Sequence, residues 1–405
     1  MKDLVIVGGG VMGAPAAFHA AAAGADVTVI ASPEPVDMAG HDGPFGAHYD
    51  QSRLVWRVHA DPVGTVLADR SIRQLAALER HSDAVITRPS PMLFATGPGL
   101  SDDQLAAARS VAYATYGLEF VNTDAMRTRW SSVSFAEDVE GYIEPPPAGL
   151  LDPRAMVDAF LMGSGAEIVP GVAIAVDLAG NGCRVTTSSG GTIDALRVLV
   201  AAGAFSNRNG LLPRPLALRF KTESVVFAEI DETQAQRFLD VPPMHYNGAP
   251  TAVAEIYTAP PLRTADGRWR LKLGANTVRD RWLSGADESI AWYRSAGLNN
   301  PLPLLRRAML QLYRGLDSTV WRTERCVITY TAHGHPYIDE LVPGRLYVAT
   351  GGNGRSAKWG PELGRLAAAL ALSGRWEDDV PHAWFAAHYE DHPVWQGPEL
   401  LRDRS

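Results

Sequence analysis

The run Gly8-Gly9-Gly10-Val11-Met12-Gly13 constrains the fold more than any other stretch of the chain. It follows Leu4-Val5-Ile6-Val7, a short apolar, β-branched segment of the kind that forms a strand buried on both faces. Gly8 permits a tight turn, Gly10 lets the backbone come close to a pyrophosphate, and Gly13 lets the next helix lie against the sheet. The N-terminus of that helix would present free N–H groups and a partial positive charge to an anion. The Ala-rich stretch 14–23 suits close helix packing, with Pro15 in the first turn and Gly24 as the stop. Val27-Thr28-Val29-Ile30 supplies a second strand. Glycines between strand and helix also make plain turns, but strand, glycine turn, helix and strand in this order point to a dinucleotide site. The acidic residue that usually ends the second strand and holds a ribose hydroxyl is Ala31 here. Either Ser32 or Glu34 substitutes for it, or the adenosine end is held differently.

A chain of 405 residues can bury a large core and should form two domains or one elaborated one. Its 37 Lys and Arg against 45 Asp and Glu give a net charge of −8, without a basic block. That balance argues against nucleic acid and anionic membrane surfaces, which need clustered cations. No stretch approaches the roughly 20 apolar residues of a membrane helix, and the glycine turn follows so soon that the N-terminus reads as part of the fold rather than a signal peptide. A cytoplasmic protein is the expectation. Cys183 and Cys326 are too few for a disulfide framework, and the 11 histidines show no metal-ligand spacing, so no metal is expected.

Residues 37–51, rich in Gly, His, Asp and Pro, read as a loop able to wrap a ligand. Alternation predicts a strand over 52–59, and apolar spacing predicts a helix over 61–80. A helix is expected near 101–116 and another over 152–163, capped by Asp152 with Pro153 at its first position. The buried strand 197–204 ends in small residues, a second place where a backbone could pass close to a nucleotide. Strands at 224–230, 252–257 and 269–274 imply an antiparallel sheet, followed by a helical stretch over 287–312. The strand 345–350, the glycine turn 351–354 and a helix over 361–373 close the chain.

Three separated stretches together resemble the FAD-dependent D-amino-acid oxidase superfamily, nearest its monomeric sarcosine oxidase branch. They are the N-terminal glycine turn, the Ser52-Arg53-Leu54 to Arg57 strand after a His-rich loop, and Gly351-Gly352-Asn353-Gly354-Arg355-Ser356-Ala357-Lys358. The segment Cys326-Val327-Ile328-Thr329-Tyr330-Thr331 is similar to the one that carries the flavin-linking cysteine, and Arg270-Leu271-Lys272-Leu273-Gly274 to the one bearing an oxygen-activating lysine. The resemblance implies an α/β fold. A Rossmann-like FAD-binding domain (1–84, 146–214 and 326–405) would join a substrate domain with a mixed, mainly antiparallel sheet (85–145 and 215–325).

It also implies a monomeric FAD-dependent amine or amino-acid oxidase. Hydride would pass from the carbon bearing the amine to flavin N5, the imine would hydrolyse, and O2 would be reduced to H2O2. A dehydrogenase with another electron acceptor and a non-catalytic flavoprotein are the alternatives, since fold does not fix function. The cofactor-binding candidates are Gly8, Gly10, Val11, Met12, Gly13, Ser32, His48, Ser52, Arg53, Val172, Gly203, Gly352, Gly354, Arg355, Lys358 and Cys326, the last as candidate point of covalent attachment. Lys272 would stabilise developing superoxide, and Lys358 would pair with a substrate carboxylate alongside an arginine. One extra residue lies between Arg53 and Arg57, so Arg57 or Trp56 takes the carboxylate-binding position, with Arg57 favoured. Tyr49, Thr258, Asn276 and Ile328 are the candidate pocket residues. Asn276 stands where the sarcosine oxidases have a histidine, and Thr258 and Ile328 where they have tyrosines, which makes sarcosine itself a doubtful substrate.

Overall fold

The computed structural model describes all residues except 51, 98–102, 249–251, 265, 296–299, 392–394, 397 and 402–405. The apolar strand Lys2–Val7 lies at the centre of an eight-stranded sheet, parallel to Val27–Ala31 on one side and to Thr192–Val200 on the other. Glu167–Pro170 extends it in parallel beyond Val27–Ala31, and Leu346–Thr350 pairs in parallel with the end of Thr192–Val200. The first half of Thr192–Val200 instead pairs antiparallel with Gly182–Thr187.

The helix Gly13–Ala22 leaves the first strand through the glycine turn, as the sequence predicts. Gly8 has φ +107°, and a Cβ there would lie 2.5 Å from the Ala201 carbonyl oxygen. A Cβ on Gly13 would lie 1.8 Å from the oxygen of Gly8, so a side chain at either position would force the turn open. The helix Ser356–Ser373 packs on this unit through Gly360, whose Cβ would meet the Val11 oxygen at 2.1 Å, and Gly364, whose Cβ would meet Met12 O at 2.7 Å and Pro15 Cβ at 2.6 Å. Ala17, Phe160, Leu363 and Trp359 fill the core beneath.

A nine-stranded, mainly antiparallel sheet forms the other half of the molecule. Its long strand Leu218–Ile230 pairs with Trp269–Thr277 on one edge and with Val320–Thr331 on the other. Its apolar face packs on the helices Glu232–Phe238 and Leu302–Leu312 around Leu271, Leu273, Phe238 and Leu305. Among the described residues only the pairing of Met92–Thr96 with Met244–Asn247 is parallel in this sheet.

Several boundaries differ from those read in the sequence. The strand expected over 52–59 is only Arg53–Val55, because from Trp56 the chain turns to reach Glu144, described below. The helical stretch 287–312 is two helices, Ala286–Arg294 and Leu302–Leu312, with Pro301 at the head of the second. The last helix begins at Ser356 rather than 361. Pro361 lies inside its second turn, where only one intrahelical hydrogen bond is lost. The Asp152 cap forms as expected, accepting from the backbone of Arg154 and Ala155 at 3.0 Å each. Among the described residues no helix is long and apolar enough to cross a membrane.

Gly364→Ala is expected to lower stability by about 1–3 kcal/mol, because its methyl meets backbone rather than a yielding side chain. Equilibrium denaturation checks this, and a loss under 0.5 kcal/mol would show that the two helices separate freely.

Candidate active site

Between the two sheets runs one cavity of about 1020 Å³, bounded by the N-terminal glycine turn, the loop around His48, the strand Trp269–Thr277 and the turn 351–354. That is at the top of the roughly 300–1,000 Å³ typical of sites for small ligands. Gly8, Gly10, Val11, Met12, Ser32, His48, Ser52, Arg53, Val172, Gly203, Gly352, Gly354 and Arg355 all line it. Gly13 does not. It lies behind the turn, against Gly8.

At the first end nothing fills the space before Gly10. A Cβ there would find only His48 Nδ1, at 3.9 Å, and that nitrogen is buried without a hydrogen-bond partner. Burial pushes the His48 imidazole down to about 4, so it is neutral. Ser32 Oγ donates to the Gly171 carbonyl at 3.3 Å. Glu34 is taken by a bidentate pair with Arg154, both contacts at 2.7 Å, and both residues border the cavity. Ser32 and Glu34, the two residues weighed as substitutes at Ala31, thus both hold protein partners.

In the middle, Lys272 is 3 % exposed although its strand is apolar. Its Nζ meets Asp50 Oδ2 at 2.6 Å and donates to the Ser52 carbonyl at 2.5 Å. Arg53 pairs with the same carboxylate oxygen, so two cations share one buried anion. Burial lowers the Lys272 pKa against the pull of Asp50. Cys326 also borders this stretch, its thiol pushed up by burial. Cys183 is buried elsewhere, against Arg345.

At the far end Lys358 Nζ lies 2.8 Å from the centroid of the Trp56 ring and, among the described residues, has no carboxylate partner. Trp56 in turn stacks on His59 at 5.1 Å. Both Trp56 Nε1 and His59 Nε2 are buried without a hydrogen-bond partner. Burial and the neighbouring Arg355 hold Lys358 well below its ordinary value, and burial with Lys358 does the same to His59. Arg57, expected here, is not on the cavity wall. Its guanidinium donates to the fully buried Glu144 at 3.1 Å, and Glu144 also accepts from the backbone of Arg57 and Val58. A buried carboxylate needing three donors draws Arg57 away and leaves Trp56 facing the cavity.

Tyr49, Thr258, Asn276 and Ile328 all line the cavity. Two further lining residues, His59 and Glu223, and the buried Asp50 that pairs with Lys272, were not read from the sequence. Asp50 and His59 sat in stretches read as loop and strand, where neither had a partner in view. Glu223 could have been found, because Lys221 and Glu223 are two apart in a strand whose second half is largely apolar and so share one face. Glu223 Oε2 meets Lys221 Nζ at 2.6 Å, and Tyr257 donates to Oε1 at 3.3 Å.

A parallel sheet with a glycine turn, closed by an antiparallel sheet over one long cavity, defines an enzyme architecture that holds a dinucleotide beside a small substrate. The chain belongs to the FAD dependent oxidoreductase family (DAO), which matches residues 3–370. No curated protein matches it significantly in sequence. Among solved structures it is similar to NikD, an unusual amino acid oxidase essential for nikkomycin biosynthesis, with TM-score 0.76 and 18% identity over 96% of this chain and 98% of that one. It is also similar to iminodiacetate oxidase from Chelativorans sp. BNC1, with TM-score 0.70 and 17% identity over 98% of this chain and 100% of that one. L-proline dehydrogenase from P. horikoshii has TM-score 0.69 and 15% identity, over 95% and 96%. At these identities the likeness is one of fold. FAD suits the residues present: Gly10 leaves the approach open, and His48 Nδ1 lacks a partner beside it.

Glu144→Ala should cost about 3 kcal/mol in equilibrium denaturation, since it strands the Arg57 cation and two backbone N–H groups in the interior. A cost below 1 kcal/mol would mean that water reaches these donors.

Proposed function

We propose that this protein is an FAD-dependent amine or amino-acid oxidase acting on a C–N bond. The observation that carries the reading is the single cavity joining the glycine turn to Lys272 and Lys358. When bound, FAD would accept a hydride from the carbon bearing the amine and pass the electrons to O2, giving H2O2 and an imine that water hydrolyses. The chain's own part is to bind, orient and exclude water. We assign residues 1–84, 146–214 and 326–405 to cofactor binding and 85–145 and 215–325 to the substrate side, with the strand Val320–Thr331 spanning the last boundary.

Lys358 carries the substrate carboxylate. A buried ammonium without a carboxylate partner is a site that an anion completes, and Trp56 N–H and His59 lie beside it in place of the arginine expected there. Lys272 is the candidate for stabilising reduced oxygen, and Cys326 for a thioether to the flavin. The substrate is a small amine or amino acid, and the protein acts as a cytoplasmic monomer. A dehydrogenase is the second reading, and one observation favours it: the Lys272 ammonium already serves Asp50 and the Ser52 carbonyl.

A visible spectrum of the purified protein under nitrogen, taken before and after adding D-, L- and N-methyl amino acids and then air, tests the proposal. Bleaching by one class, with recovery and peroxide in air, is expected. Bleaching without recovery in air favours the dehydrogenase, and no bleaching by any amine overturns both. In the same assay Lys272→Met should slow reoxidation at least about tenfold more than reduction, and yellow colour remaining on acid-precipitated protein would mark the Cys326 bond.

Carboxylate binding should depend on pH through Lys358. Its folded-state pKa lies below the ordinary lysine value, so the free site loses its charge as pH rises through that lowered pKa. A bound carboxylate favours the charged form and draws a proton in. Affinity for acetate, read from the flavin spectrum, should therefore be full below this pKa and fall by up to about tenfold per pH unit above it. Lys358→Met should give weak binding that no longer falls with pH.

A further inference from the structure

We infer that Glu223, on the cavity wall opposite Cys326, receives a cationic group of the substrate, so that the substrate class is amino acids carrying a second amino or guanidino group. This rests on the amino-acid reading above, with the carboxylate at Lys358.

The charges along the cavity are unevenly matched. Lys221 Nζ is held by Glu223 Oε2 at 2.6 Å, Asp280 Oδ2 at 2.7 Å and Asn276 Oδ1 at 2.9 Å, so one buried cation serves two buried carboxylates. All three charged side chains are 7 % exposed or less. The next cation along the wall, Arg53, is committed to Asp50. Glu255, also on the wall, is solvent-exposed and accepts from Asn276 Nδ2 at 2.6 Å. The buried trio therefore has two carboxylates to one cation in a low-dielectric setting, where an unmatched carboxylate is costly.

The Lys358 end, among the described residues, is short of negative charge. Lys358 lacks a carboxylate, and His59 Nε2, on a residue 4 % exposed that lines the same cavity, lacks any partner. The nearest charges differ at the two places: Arg355 and Glu144 act on Lys358, and Lys221 and Asp280 on Glu223. One molecule with a carboxylate at one end and a cation at the other satisfies both. In the protein alone, burial raises the Glu223 pKa against the pull of Lys221, and an incoming cation would restore its charge.

The test uses the flavin-loaded protein and needs no turnover. Dissociation constants are read from the flavin spectrum for ω-amino carboxylates, from 3-aminopropanoate to 6-aminohexanoate, each against the unsubstituted carboxylate of equal length. At the best length the amino compound should bind roughly 10- to 100-fold tighter, the worth of a hydrogen bond to a charged partner. Glu223→Gln should bring that ratio close to one. Equal affinities within every pair, no binding by either series, or a ratio unchanged by Glu223→Gln would overturn the inference. If Glu223→Gln does not fold, the wild-type ratios decide. If no amine bleaches the flavin, the oxidase reading fails, while this one still stands or falls on the dissociation constants.

Discussion

Close backbone contact at a few glycines holds the rest of the structure in place. Gly13 lies under Gly8, and Gly360 and Gly364 bring the last helix against Val11 and Met12. Because these are contacts between main chains, they fix the angle and depth of both helices with little freedom to adjust. Each helix starts at a glycine turn, so fixing the helices also aims two sets of free N–H groups into one cavity. The distant 351–354 turn thus becomes part of the same site as the N-terminal one.

The second organising feature is how charge is buried along that cavity. Asp50 holds both Lys272 and Arg53, two segments more than 200 residues apart in the chain, and so ties the antiparallel sheet to the loop over the cofactor end. Glu144 does the same for the segment after Arg53, and in taking Arg57 it exposes Trp56 to the cavity. Each buried ion is retained only with partners in place. Charge is least evenly matched at Lys358, which has no carboxylate among the described residues, and at Lys221, which two buried carboxylates share.

The legible part of the fold was the part written in local pattern. The first strand, glycine turn and helix, the Asp152 cap and the Pro62–Arg80 helix follow from spacing and end signals. Where boundaries moved, a distant contact had decided. The strand after Ser52 stops at Val55, and the last helix starts at Ser356 rather than at its proline. Within the site, Gly10, His48, Arg53, Lys272 and Lys358 were nameable from motifs. Arg57 was misplaced, and Asp50, His59 and Glu223 were passed over, because a side chain's partner across the fold leaves no mark in its own neighbourhood of sequence.

The sequence by itself determined the dinucleotide turn, the alternation of parallel and antiparallel strands and the cations available for an active site. Glycine spacing and apolar periodicity act within a few residues, so they can be read along the chain. The tertiary structure alone decided which of those cations face the cavity and which are neutralised behind its wall. That choice depends on buried carboxylates brought from other strands, and pairing across such distances is set only when the two sheets close on each other.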